Sequence, residues 1–107
     1  MKIIISNNAH RDIQEIYNYI SYDSLYFAEY TVTKIYNYIN KLEFSPYLGR
    51  YIPELPDKQY RELIYKSYRI IYSISERTNE VRVYFVFHSK RNFKILFDLY
   101  RTEDFNF

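Results

Sequence analysis

The sequence predicts an α+β fold in the order β-α-α-β-β-β, a helical hairpin packed on one face of a small antiparallel-rich sheet. Three observations carry this. A short β-branched run, Lys2–Ile5, opens the chain. Two stripes of apolar residues at three- and four-residue spacing follow it. Beyond a loop that holds all three prolines and the one glycine, the apolar period changes to two.

Each element has a local reason. Asn7 or Asn8 can cap the first helix, because a short side-chain oxygen accepts from the free N–H groups of a first turn. Ala9, Ile13, Ile16, Tyr17 and Ile20 make its apolar stripe, with Arg11, Asp12, Gln14, Glu15 and Asn18 between them. Asp23-Ser24 is a second start signal. Ala28, Thr31/Val32, Ile35, Ile39 and Leu42 form the next stripe, and Lys34 and Lys41 fall off it. So few residues join the two helices that they pack antiparallel. Ser45-Pro46 stops the second one, since a residue before proline avoids the helical region. Gly49, in the loop from Pro46 to Pro56, fits a point of positive φ or of close backbone approach.

Strands are predicted at Tyr60–Ile64, Tyr68–Ser75 and Val81–His88. The apolar run Phe93–Tyr100 is too short to assign to helix or strand. With Thr78-Asn79 as a two-residue turn, Ile70 faces Phe87, Tyr72 faces Phe85 and Ile74 faces Val83 on the side toward the helices. The opposite side then carries Arg69 across from His88, Ile71 from Val86 and Ser73 from Tyr84. Thr-Asn is not the strongest turn dipeptide, so a longer loop stays open.

Composition limits the function classes. The 107 residues suit one domain over 1–107, and 48% apolar content suffices for a core. With no cysteine there is no disulfide or thiolate metal site, and two histidines leave an imidazole site short of ligands. No cofactor or metal is expected. The longest apolar run, Val83–Phe87, is far short of the ~20 residues that cross a bilayer. The apolar start is too short for a signal peptide. The expectation is a soluble cytoplasmic protein with no membrane partner. Charge is uneven: Gly49–Lys94 carries ten Lys and Arg against five Asp and Glu, a net +5, and the remainder nets −3. A basic second half suits an acidic partner. Fifteen tyrosines fit both a core closed by rings and contact surfaces.

The predicted register makes Arg69 and His88 neighbours, with Lys90-Arg91 at the strand end; Arg61 joins them from the adjacent strand if its side chain takes the same face. Guanidinium forks suit phosphate, and an imidazole can move a proton. The plainer alternative pairs Arg69 with a carboxylate such as Glu62 and leaves His88 ending a strand. No glycine-rich phosphate loop, nucleophile elbow or Ser/His/Asp set is present.

These residues resemble the RelE/ParE superfamily of bacterial toxins over about residues 3 to 95. The carriers are Ala9-x-x-Asp12-Ile13-x-x-Ile16, Pro46-x-x-Gly49-Arg50 with Pro53-Glu54, Arg61-Glu62-Leu63, Tyr68-Arg69-Ile70-Ile71-Tyr72 and His88-x-Lys90-Arg91-Asn92-Phe93. The resemblance implies the toxin of a type II toxin–antitoxin pair, neutralised by a cognate antitoxin. One branch blocks DNA gyrase. The other cuts messenger RNA on the ribosome without metal. The loop and strand motifs resemble the ParE branch, so gyrase inhibition is the expected activity. The alternatives are a ribosome-dependent endoribonuclease and a member that only binds its antitoxin. In a ribonuclease, His88 would be acid or base, and Arg61, Arg69, Lys90 and Arg91 would stabilise the added negative charge. Where some such enzymes place a late tyrosine, this chain has Phe93 and Phe97, with Tyr100 beyond the aligned stretch.

Overall fold

A computed structural model describes residues 1–107. The order is β1 (Lys2–Ile5), α1 (Asn7–Ser21), α2 (Leu25–Lys41), a 3₁₀ turn (Pro46–Leu48), β2 (Arg50–Tyr51), β3 (Tyr60–Tyr65), β4 (Tyr68–Ser75), β5 (Glu80–His88), α3 (Phe93–Thr102) and a final 3₁₀ turn (Asp104–Asn106). The five strands lie in the order β1-β5-β4-β3-β2. β1 runs parallel to β5, and the other pairs are antiparallel. The predicted α+β architecture is therefore present, with the short β2 and the helix α3 added to it.

The two hairpin helices start at serines. Ser6, not Asn7 or Asn8, caps α1: its Oγ accepts from Ala9 N at 2.9 Å and donates to Tyr84 O at 2.6 Å. Ser24 caps α2 by accepting from Phe27 N at 3.1 Å. The apolar stripes face the sheet as predicted. Ala9 and Ile13 of α1, and Ile35, Ile39 and Leu42 of the second stripe, pack on Leu63, Tyr65, Ile70, Tyr72, Val81, Val83 and Val86. Helix α2 ends at Lys41, before the Ser45-Pro46 stop, with Leu42 as its cap.

The β4–β5 register departs from the two-residue turn. Ser75 pairs with Glu80, so residues 76–79 form the loop, and Asn79 takes the left-handed conformation at φ 56. The longer loop slides the register by two residues, which keeps each side chain on its face. Tyr72 thus meets Val83, and both still point at the helices. Between Ile71 and Tyr72 the register shifts back by one, because Tyr84 is an extra residue on β5. This bulge reverses the remainder of the strand. Phe85 and Phe87 lie on the side away from α1 and α2, contrary to the prediction. Ile70 pairs with Val86, Arg69 with Phe87 and Tyr68 with His88.

The second face is not open. Phe93, Leu96 and Phe97 of α3, with Phe105, cover Ile71, Tyr84, Phe85 and Phe87. Asn92 settles the undecided Phe93–Tyr100 run as helix, because its side chain accepts from Ile95 N at 3.1 Å. Gly49 has φ −76, so close approach, not backbone sign, explains it. A Cβ there would stand 2.5 Å from Glu62 O and 2.6 Å from the Tyr72 hydroxyl.

Candidate functional site: the cleft between the first helix and the end of strand β5

Strand β1 stops at Ile5, opposite Val83. Beyond that point the outer edge of β5 has no strand partner, and its buried N–H groups need another acceptor. Asp12 supplies one. Its Oδ2 accepts from Val86 N at 3.1 Å, and its Oδ1 accepts from the Tyr100 hydroxyl of α3 at 3.0 Å. The carboxyl is buried, 6% exposed. Burial raises its pKa from 3.8 to about 6, against the pull of Val86 N–H and Tyr100. Burial, and then the Asp12 charge, push Tyr100 up to about 12.

Past Asp12 the gap between α1 and β5 opens into a cleft of about 490 Å³. Asp12, Glu15, Ile16 and Tyr19 line one wall at the i, i+3, i+4, i+7 spacing of a single helix face. Tyr68, Val86, Phe87 and His88 form the sheet wall, and Lys90 and Arg91 close the end. Tyr68 and His88 pack edge to face at 5.5 Å. Lys90 N donates to His88 Nδ1 at 3.1 Å, so the neutral ring carries its proton on Nε2. The charge is mixed: two carboxylates on the helix wall, two cations at the end of strand β5.

His88, Lys90 and Arg91 thus come together, as predicted, but Arg69 and Arg61 do not join them. The bulge at Tyr84 puts His88 on the helix side of the sheet and leaves Arg69 on the α3 side, which corrects the predicted Arg69–His88 pairing. Arg69 is neutralised there. Its two terminal nitrogens donate to Glu54 at 2.8 Å each, and its Nε donates to Glu62 at 2.5 Å. Glu62 is fully buried and also accepts from Arg50 at 2.7 Å. The guanidinium of Arg69 lies over Phe87 and Phe93, with its centre 5.0 and 5.4 Å from the rings. The hydrogen bonds to Arg69 hold the Glu54 carboxyl below its ordinary range. Arg61 pairs with Tyr72 in register, away from Tyr68 and His88. It donates to Gly49 O at 2.8 Å and stacks over Tyr51 and Tyr47 at 4.5 and 5.1 Å.

Sequence reasoning missed Glu15, Tyr19 and Tyr68 as cleft residues, and saw Asp12 only as part of a helical signature. The one available signal was the four-residue stripe on α1, which carries two acids where a core-facing stripe carries none.

The same arrangement of elements occurs in solved toxin–antitoxin structures. One neighbour belongs to the chromosomal ParDE system of P. aeruginosa, with a TM-score of 0.68 and 18% identity over 82% of this chain and 95% of that one. Another belongs to the RelBE2 toxin–antitoxin complex of Mycobacterium tuberculosis, with a TM-score of 0.61 and 16% identity over 81% of this chain and 95% of that one. No curated protein matches the sequence. The family model for the ParE toxin of the type II toxin–antitoxin system parDE matches residues 3–93. That match spans both helices of the hairpin, all of the sheet but Lys2, and the cleft, and the chain belongs to the ParE toxin family.

Proposed function

We propose that the protein inhibits growth by binding DNA gyrase, without cleaving RNA, and that a cognate antitoxin neutralises it. The observation that carries this reading is the state of Arg69. A ribonuclease would need that guanidinium free to meet a phosphorane, and here Glu54 and Glu62 occupy it. His88 stands across the sheet from it, and the Tyr100 hydroxyl is committed to Asp12. A binding mode needs surface instead. Tyr22, Leu25, Tyr26 and Phe27, at the tip of the hairpin, are 95, 64, 73 and 59% exposed. Apolar exposure of this kind marks sites of protein association.

The test is induction in a bacterial host, with plasmid supercoiling and messenger RNA followed together. Relaxed plasmid and intact messenger RNA are expected, and the His88→Ala variant should remain toxic. Co-expression of the protein encoded by the adjacent reading frame should restore growth and give a co-purifying complex. Messenger RNA cut within minutes, with supercoiling unchanged and cleavage lost in His88→Ala, would replace this reading with the ribonuclease.

A further inference from the structure

Glu15, Lys90 and Arg91 stand at the cleft without ionic partners, since the ion pairs of the chain all lie elsewhere. Both walls therefore present unmatched charge. Between them are two tyrosine rings. Tyr19 is 81% exposed and lines the same cleft from the helix, and Tyr68 lines it from the sheet. The floor, Ile16 and Val86, is apolar.

Each feature limits the ligand. A basic side chain would answer Glu15 but meet the cations. An acidic one would answer Lys90 and Arg91 but meet the carboxylates. A flat ring is needed to use the tyrosines, and base–aromatic stacking is indifferent to the identity of the base. An exocyclic amine is a donor that a carboxylate accepts. A phosphate suits Lys90 and Arg91. The His88 Nε2–H adds a further donor on the same wall. About 490 Å³ is within the range of small-molecule sites.

We propose that this cleft binds a nucleotide whose base carries an exocyclic amine, with the ring against Tyr19 and Tyr68, the amine edge on Glu15 and the phosphate on Lys90 and Arg91. The ligand is either a free mononucleotide or an unstacked residue of a single strand. The inference is independent of gyrase binding, and it involves no bond cleavage.

Calorimetric titration of the full chain tests it, using 5′-GMP, 5′-CMP, 5′-UMP, guanosine and inorganic phosphate. GMP and CMP should saturate one site, and UMP, which lacks the amine, should bind about tenfold more weakly, the usual scale of base discrimination. Guanosine should bind more weakly than GMP, and Lys90→Ala/Arg91→Ala should remove that difference. Tyr19→Ala should weaken GMP by about tenfold, as expected for one lost stacking partner. Glu15→Ala should close the gap between GMP and UMP. Both residues are exposed, so the fold is retained. A single-stranded RNA 10-mer that binds well beyond GMP identifies the strand as the source, and equal affinity identifies the free nucleotide. The inference fails if no nucleotide binds by about 5 mM, if inorganic phosphate matches GMP, or if Tyr19→Ala leaves GMP affinity unchanged. Supercoiling measured on Tyr19→Ala reads the gyrase proposal separately.

Discussion

Tyr100 donates a hydrogen bond to Asp12 at 3.0 Å, and so ties the last helix to the first across 88 residues of sequence. The same carboxyl caps Val86 N–H with its other oxygen. One buried side chain therefore joins α1, β5 and α3, and it also forms the inner end of the cleft. It does this at a cost, because burial disfavours its charge.

That cost makes a pH signature. The folded pKa of Asp12, about 6, is above its ordinary 3.8. Its neutral form therefore favours the fold, and the contribution is full below about pH 4 and is lost as pH rises through 6. A shift of this size corresponds to about 3 kcal/mol as an order of magnitude. Asp12→Asn keeps an acceptor for Val86 N–H and offers the Tyr100 oxygen a donor, but it cannot ionise. The stability of the variant relative to the parent should rise by up to about 3 kcal/mol between pH 4 and pH 7. Urea unfolding at the two pH values measures it. A difference that stays constant across this range would show that Asp12 does not titrate there.

Arg69 should prove structural. Removing it leaves the fully buried Glu62 with only the exposed Arg50, and frees Glu54 beside it. Breaking a buried pair from one side typically costs about 3–5 kcal/mol. Arg69→Ala should lower the unfolding free energy read from urea titration by an amount of that scale, and growth inhibition should fall in proportion to the folded fraction. Arg69→Met combined with Glu62→Leu, which removes both charges, should be markedly more stable than Arg69→Ala. Equal stability of the two variants would mean that the ion pair carries no structural weight.

The parts of this fold that were legible in the sequence are those fixed by periodicity. Ile13, Ile35 and Ile39 repeat at helical spacing, and they are buried where that spacing puts them. Tyr72 and Val83 kept their predicted face because a slip of two residues preserves the alternation. Phe85, Phe87 and His88 did not, because one extra residue at Tyr84 inverts every side chain after it. Nothing local announces that bulge. Its partners are Ser6, 78 residues away, which donates to Tyr84 O, and Ser73, whose hydroxyl meets the Tyr84 hydroxyl at 2.5 Å. The cleft depended on the same inversion, since it is the bulge that turns His88 toward Asp12 and Tyr19. Arg69 illustrates a different limit. Its pairing with Glu62 was open in the sequence as the alternative to a free cation and is present in the structure, but only the fold adds Glu54 from the proline loop.

The C-terminal turn makes a last test of how burial holds unfavourable backbone. Asp104, Phe105 and Asn106 have φ values of 55, 56 and 58. Asn and Asp tolerate this region, but for a bulky side chain it is uncommon and costly, about 1–3 kcal/mol. Phe105 is nevertheless held there because its ring is buried, 6% exposed, with the Tyr84 ring 4.5 Å away and Phe97 at 5.7 Å. Phe105→Ala removes the anchor and leaves the strain. The turn should then unwind and release that strain, so the loss is smaller than the usual 3–5 kcal/mol for a buried phenylalanine, about 2 kcal/mol. Amide exchange should speed up selectively over 103–107, while β4 and β5 stay protected. Phe105→Leu, which refills most of the site, should recover more than half of the loss. A Phe105→Ala variant with parental stability and unchanged exchange at 103–107 would show that the ring does not hold the turn.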